Sequence, residues 1–223
     1  MNVSEAVATR RSVRKFLPDP VALEVITRVL EKAQRAPSGG NTQPWNAVVL
    51  SGAPLERLTA DILVHAQANP MGSGGEYAIY PEGLAGRHEE QRRAVGREMF
   101  DAIGLARDDM PGRMAQMADN WRSFGAPVQL FTYTAKYMGP PQWSDLGMWL
   151  QTVMLLLREE GLDSCAQEIW AMHGKHMKTQ LGIADDHIFF CGMAIGYRDA
   201  GAPINGFAVP RVPLSDVVRF EGF

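Results

Sequence analysis

The sequence predicts a single domain that combines helices with strands. At 223 residues the chain is long enough for one sizeable core, since domains run to roughly 100 to 200 residues. Three separated apolar runs, Ala47–Leu50, Val128–Tyr133 and Ile188–Ile195, have the length and bounding turns of buried strands. Around them apolar residues recur at helical spacing, most persistently from Asp145 to Glu160.

Taken in order, Val3–Thr9 reads as a short helix with Ser4 as its cap. Asp19-Pro20 opens a second helix, with Leu23, Ile26 and Leu30 on one face, and Ala36-Pro37 stops it. A turn-rich stretch leads to the first strand, and Pro54 starts a helix reaching about Gln67. From Asn69 to Gly86 the chain is rich in Gly and has no clean period, which predicts a mobile lid; the inserted region extends around 69–124. Helical pattern resumes over Glu89–Ile103 and Pro111–Ser123, before the second strand. The helix Asp145–Glu160 is apolar almost all round, as expected of one buried in a core or a subunit interface, and Gly161 caps it. Asp163–Trp170 carries no assignable period. A short helix near Lys175–Leu181 precedes the third strand, and the Pro-containing tail from Ala202 is too open for a core, so it should lie along something else.

Composition narrows the function. Apolar residues make up 46% and charged residues 21%, as in ordinary globular proteins. A formal net charge of -3 excludes the broad basic footprint of sequence-independent nucleic-acid binding, so any phosphate site must be local. No apolar run approaches the ~20 residues of a membrane span, and Met1–Glu5 does not open a secretory signal. With only Cys165 and Cys191 there is no disulfide framework, and a reducing cytoplasm is the expected location. Cys165 reads as a small buried apolar residue. His173 and His176 are three apart, not the four of a helical zinc pair, and no third ligand lies nearby in sequence, so no metal site is expected.

Two motifs carry chemistry. Arg10-Arg11-Ser12-Val13-Arg14 gathers three guanidinium groups and a hydroxyl where the first helix ends; this suits phosphate oxygens, although a solvated basic surface would look the same. Pro37-Ser38-Gly39-Gly40-Asn41-Thr42-Gln43-Pro44-Trp45 combines stiffening prolines, adjacent glycines that allow close approach, and several amide and hydroxyl groups. A plain helix-to-strand loop remains the alternative for it.

In this order and spacing the two motifs resemble the nitroreductase family of FMN-dependent flavoproteins. The likeness continues through Gly161–Gln167, Gly192–Tyr197 and Arg211-Val212-Pro213-Leu214, and the sequence looks nearest to bacterial reductases of nitrobenzene-like compounds. The resemblance implies an α+β fold, a central mixed sheet flanked by helices, in an intertwined homodimer with each FMN at the subunit interface. It assigns Arg10, Ser12 and Arg211 to the FMN phosphate, Arg11 to the ribityl chain and Arg14 to the N1–C2 edge of the ring. Pro37, Ser38, Gly39 and Asn41 would come from the other subunit, and Ala166, Gln167 and Glu168 would run along the opposite ring edge. It implies ping-pong transfer from NADH or NADPH through flavin N5 to a small aromatic, a nitroarene foremost, with no catalytic side chain required. Tyr77, Tyr80 and Phe124 are the candidate substrate residues; Trp121 is expected to pack the core.

Two other readings remain. Halotyrosine deiodinases share the fold and an Asn-Trp pair like Asn120-Trp121, and clamp an amino acid with a lid Glu and Tyr, for which Glu76 and Tyr80 are available here. Their Lys shortly before the Asn-Trp pair is missing from Met114–Met117. A flavin-storing protein without turnover is the third reading.

Overall fold

The computed structural model describes all residues, Met1–Phe223. Its centre is set by alternation along β2, Val128–Ala135. Val128 and Leu130 enter one apolar cluster and Phe131 enters another, so both faces of the strand are covered. β2 pairs with β1, Asn46–Ser51, and with β4, His187–Gly196; β4 pairs in turn with β3, Asp163–Gln167. The order is β1-β2-β4-β3.

Every ladder is antiparallel, where a mixed sheet was expected. The parallel pairing in the chain is an isolated bridge between Ser12 and Ser164. β2 and β4 slip out of register between Thr132 and Tyr133, leaving Phe190 as an extra residue in β4. Such a bulge bends a strand and re-aims its backbone groups.

Seven α-helices surround the sheet. On one face, α2 (Leu23–Ala33) brings Ile26, Val29 and Ala33, and α6 (Pro140–Glu159) brings Leu146, Trp149, Leu150, Val153 and Leu157 against Leu130, Met193 and Ile195. On the other, α3 (Gly52–Ala68) contributes Leu58 and Ile62 and α7 (Gly174–Leu181) contributes Met177, packed with Phe131, Phe189 and Trp170. Burying each large side chain of this kind contributes about 1.5 to 3 kcal/mol. α1 (Val3–Thr9) is capped by Asn2, not Ser4: its side chain accepts from Glu5 N–H at 2.9 Å. α4 (Gly86–Ala102) and α5 (Met110–Ala118) bury no residue fully.

β3 was not assignable from sequence because Asp-Ser-Cys-Ala-Gln lacks apolar alternation. Tertiary contacts hold it. Asp163, 3% exposed, pairs with Arg158 of α6 at 3.0 Å and with Arg198 at 3.5 Å, while burial raises its carboxyl pKa. No helix is long and apolar enough to cross a membrane.

Candidate active site

The Arg-rich motif borders two spaces, and Arg14 is common to both. Arg10, Arg11, Ser12 and Arg14 line a cavity of 550 Å³, together with Arg211 from the far end of the chain. Nearly two hundred residues separate the first four from Arg211, so their meeting is a product of the fold. The motif is fixed by Asn205, which accepts from Arg14 N–H at 2.8 Å and donates to the carbonyls of Lys15 and Asp199 at 2.8 and 2.9 Å. Arg211 is exposed and its guanidinium donates to the carbonyls of Val209 and Pro210. Such an arrangement leaves further N–H donors free for an anion.

Arg14 also lines a second, larger cavity of 810 Å³. Ala166, Gln167 and Glu168 form one side of it, where β3 passes into a 3₁₀ turn, Glu168–His173. Gln167 is 3% exposed and its Nε2 donates to the Asn120 carbonyl at 2.9 Å, but its Oε1 is buried without a partner. A buried acceptor left open at a cavity is a natural place for a ligand donor. Desolvation raises the Glu168 carboxyl pKa, although the residue keeps an exposed surface. The remaining walls include Tyr77, Tyr80, Phe124, Met71, Met117 and Met172, a volume and apolar character suited to flat aromatic molecules.

Each candidate substrate residue reaches this cavity in a different state. Tyr80 is 54% exposed, with the Arg92 guanidinium 5.2 Å from its ring centre. Tyr77 is half-buried and lines the cavity; its hydroxyl donates to the Phe190 carbonyl and its ring stacks on Phe190. Burial pushes its hydroxyl pKa up. Phe124 is 4% exposed and belongs to a small core with Val13, Phe16, Ala126, Cys165 and Ala194. It is both a core residue and part of the cavity floor, and it sits at φ +55° beside Gly125 at φ +81°. Trp121 packs in the core, edge-on to Trp170 and His173.

Pro37, Ser38, Gly39 and Asn41 line neither cavity. Their loop is on the surface, where Gly39 N–H donates to Asp145 of α6 at 3.2 Å and the Ser38 hydroxyl accepts from Gln43 N–H at 3.0 Å. Gly40 and Asn41 hold left-handed backbone, with φ of 58° and 57°. Cys165 is buried under the cavity and burial raises its thiol pKa; the Cys191 thiol is pushed up to about 12.

The expected lid is bonded to the core at its start. Ser73 N–H donates to the Met172 carbonyl and Lys175 N–H to the Gly74 carbonyl. Gly72 and Gly74 permit this: both have positive φ, and a Cβ on Gly72 would stand 2.9 Å from the Met172 carbonyl oxygen. Beneath, the Ser73 hydroxyl lies 2.7 Å from His65 Nε2 and 3.4 Å from His173 Nδ1, while His176 stacks on His65 and bonds to Asp61 at 2.5 Å. Desolvation, then the neighbouring imidazoles, lowers the His173 pKa to about 4. This cluster escaped sequence reasoning because its members lie more than a hundred residues apart. No group of three or more His, Cys, Asp or Glu is placed to hold a metal ion.

A four-stranded antiparallel sheet with helices on both faces, and a basic cavity joined through one arginine to an apolar one, describe an α+β protein with room for a flat, phosphate-bearing ligand. The chain matches the model of the nitroreductase family over residues 7–197. It is 35% identical over 217 residues to a 4-nitrobenzoate reductase of Pseudomonas putida, covering 97% of this chain and 94% of that protein. A nitrobenzene nitroreductase of Ectopseudomonas oleovorans is 30% identical over 218 residues, 98% of this chain and 96% of the relative. The solved structure of the FMN and NADPH-dependent nitroreductase NfnB from Sphigopyxis sp. strain HMH superposes with a TM-score of 0.97 at 48% identity, covering 100% of both chains. The chain belongs to the nitroreductase family and has its fold.

Proposed function

We propose that the protein is an FMN-dependent reductase that uses NADH or NADPH to reduce small aromatic substrates, nitroarenes first among them. The observation that carries the reading is the convergence of Arg10, Arg11, Ser12 and Arg211 on one cavity that Arg14 joins to an apolar one. A phosphate-bearing flat cofactor needs this pairing of a basic pocket and an adjoining slot. The relatives named above, a 4-nitrobenzoate and a nitrobenzene reductase, support the substrate class.

In this reading Arg10, Ser12 and Arg211 would hold the FMN phosphate and Arg11 the ribityl chain. Arg14 would stand near the electron-rich edge of the ring, and Ala166, Gln167 and Glu168 along the other edge, with the open Gln167 Oε1 accepting a hydrogen bond. When bound, FMN supplies ping-pong chemistry, taking hydride from the nicotinamide and passing reducing equivalents to the aromatic acceptor. The protein would orient both partners, and the apolar walls of the cavity would favour flat aromatic molecules over water. No side chain here is required as an acid or base.

The functional unit in this reading is a homodimer, one domain per chain with the 69–124 region as an insertion. Pro37, Gly39 and Asn41, exposed in one chain, and the half-buried Ser38 would close over the partner's cofactor. The exposed apolar residues Met148 of α6 and Val212, Leu214, Val217 and Phe220 of the tail would be covered by the partner. The buried free thiols of Cys165 and Cys191 fit a reducing cytoplasm.

Halotyrosine deiodination is disfavoured by Glu76. Its carboxylate is spent on Lys178 at 2.8 Å and on Phe189 N–H at 3.2 Å, and is not offered to a substrate ammonium group. Anaerobic NADPH oxidation by the FMN-loaded protein tests the reading. It should be rapid with 4-nitrobenzoate or nitrobenzene and negligible with a halotyrosine; acceleration by the halotyrosine alone would reverse the assignment, and by neither would favour flavin storage.

A further inference from the structure

The wall segment Gly72–Tyr77 supplies much of the larger cavity, yet Glu76 is absent from the lining while its neighbours Gly75 and Tyr77 are in it. Its side chain, 8% exposed, turns into the core. There Glu76 Oε1 accepts from Lys178 Nζ at 2.8 Å, with Lys136 Nζ at 3.7 Å, and Oε2 accepts from Phe189 N–H at 3.2 Å. Lys178, 3% exposed, makes a further bond to the His187 carbonyl at 2.9 Å. The Tyr77 hydroxyl takes the next backbone position, the Phe190 carbonyl.

These contacts fall on the β4 bulge, where Phe190 is the extra residue opposite Thr132 and Tyr133. A regular strand would not present Phe189 N–H and Phe190 C=O together to one neighbouring segment, so the bulge creates the dock. A buried ion pair is a poor source of net stability, because desolvation offsets its attraction. Its directional bonds do fix geometry, and here they fix a wall only one residue from the cavity.

We propose that Glu76 and Tyr77, docked on the β4 bulge and locked by Lys178, form a positioning clamp that sets the shape of the aromatic-binding cavity and so selects substrates by size. The clamp rests on the reductase reading for the identity of the ligand, but not for its existence. Glu76 touches no ligand; it acts through the Gly75–Tyr77 wall. Without it, Tyr77 and the glycines lose their fixed distance from Phe124 and Gln167 across the cavity, and a flat substrate pays the cost of ordering them on binding.

The test uses full-length, FMN-loaded Glu76→Ala, Glu76→Gln and Tyr77→Phe variants. KM is measured for 4-nitrobenzoate and for the larger 1-nitronaphthalene, alongside flavin content and amide exchange of Ser73 and Lys175. Glu76→Ala should raise KM for 4-nitrobenzoate about tenfold with kcat at saturation retained, Tyr77→Phe should raise that KM likewise, and both should narrow the preference over the larger substrate. Exchange at Ser73 and Lys175 should speed about tenfold. Glu76→Gln, which keeps an acceptor for Phe189 N–H, should restore most of both. If Glu76→Ala does not fold, Tyr77→Phe decides alone. Unchanged KM and unchanged exchange in the folded variants would overturn the clamp. Wild-type protein that turns over no nitroarene would overturn the reductase reading instead, with the exchange data still judging the clamp.

Discussion

Ser12 is bridged to Ser164: Val13 N–H donates to the Ser164 carbonyl at 3.1 Å, the parallel pairing that joins the Arg-rich turn to the edge strand β3. One backbone contact thereby ties the basic cavity to the strand that carries Ala166 and Gln167 into the apolar one. The distance between proposed phosphate and ring sites is set by main chain, not by mobile side chains.

The first prediction concerns that basic cavity. Arg10→Ala or Arg211→Ala should remove a charge-assisted bond of about 1.5 to 3 kcal/mol and weaken FMN binding about ten- to a hundredfold. Flavin titration of the apoprotein checks it; unchanged affinity in both variants would remove these residues from the phosphate site.

A second concerns Phe124, which floors the cavity from within a core cluster. Phe124→Ala should lower stability by about 3 to 5 kcal/mol and also alter kcat/KM among nitroarenes of different size. Thermal melting and a substrate panel read the two effects separately. An unaltered melting temperature would show that the ring contributes no packing.

A third follows from His173, which is 1% exposed with a pKa lowered to about 4. The unfolded chain takes up this proton near pH 6.5, so its contribution to stability is full above that value and is lost as pH falls toward 4. By about pH 5 the loss should be on the order of 2 kcal/mol, and His65, also lowered by burial, adds in the same direction. Urea unfolding near neutrality and near pH 5 measures the drop, which should shrink in His173→Asn. An equal drop in the variant would place the titrating group elsewhere.

Much of this was legible in the sequence, for identifiable reasons. The strands Asn46–Ser51, Val128–Ala135 and His187–Gly196 announced themselves because their runs are apolar, and β2 and β4 are covered on both faces, while the edge strand β1 buries no residue fully. The helix expected from Asp145 starts at Pro140, since Pro140 and Pro141 occupy its first turn, where a missing N–H costs nothing. β3 was hidden because its five residues owe their place to Asp163, Arg158 and the bridge to Ser12, contacts that leave no local period. Sheet parity was hidden too, because apolar runs do not encode direction. The Glu76–Lys178 pair spans about a hundred positions, and no spacing rule reaches that far. Tyr77 and Phe124 were found as large rings, but their burial came only with the fold.

The most direct measurement is of the two half-reactions, observed separately by anaerobic stopped-flow absorbance of the bound flavin. NADPH should bleach the FMN-loaded protein without any acceptor present, and 4-nitrobenzoate mixed with the bleached protein should restore the flavin colour at a rate that accounts for turnover. Bleaching that 4-nitrobenzoate and nitrobenzene both fail to reverse would contradict the assignment as a nitroarene reductase.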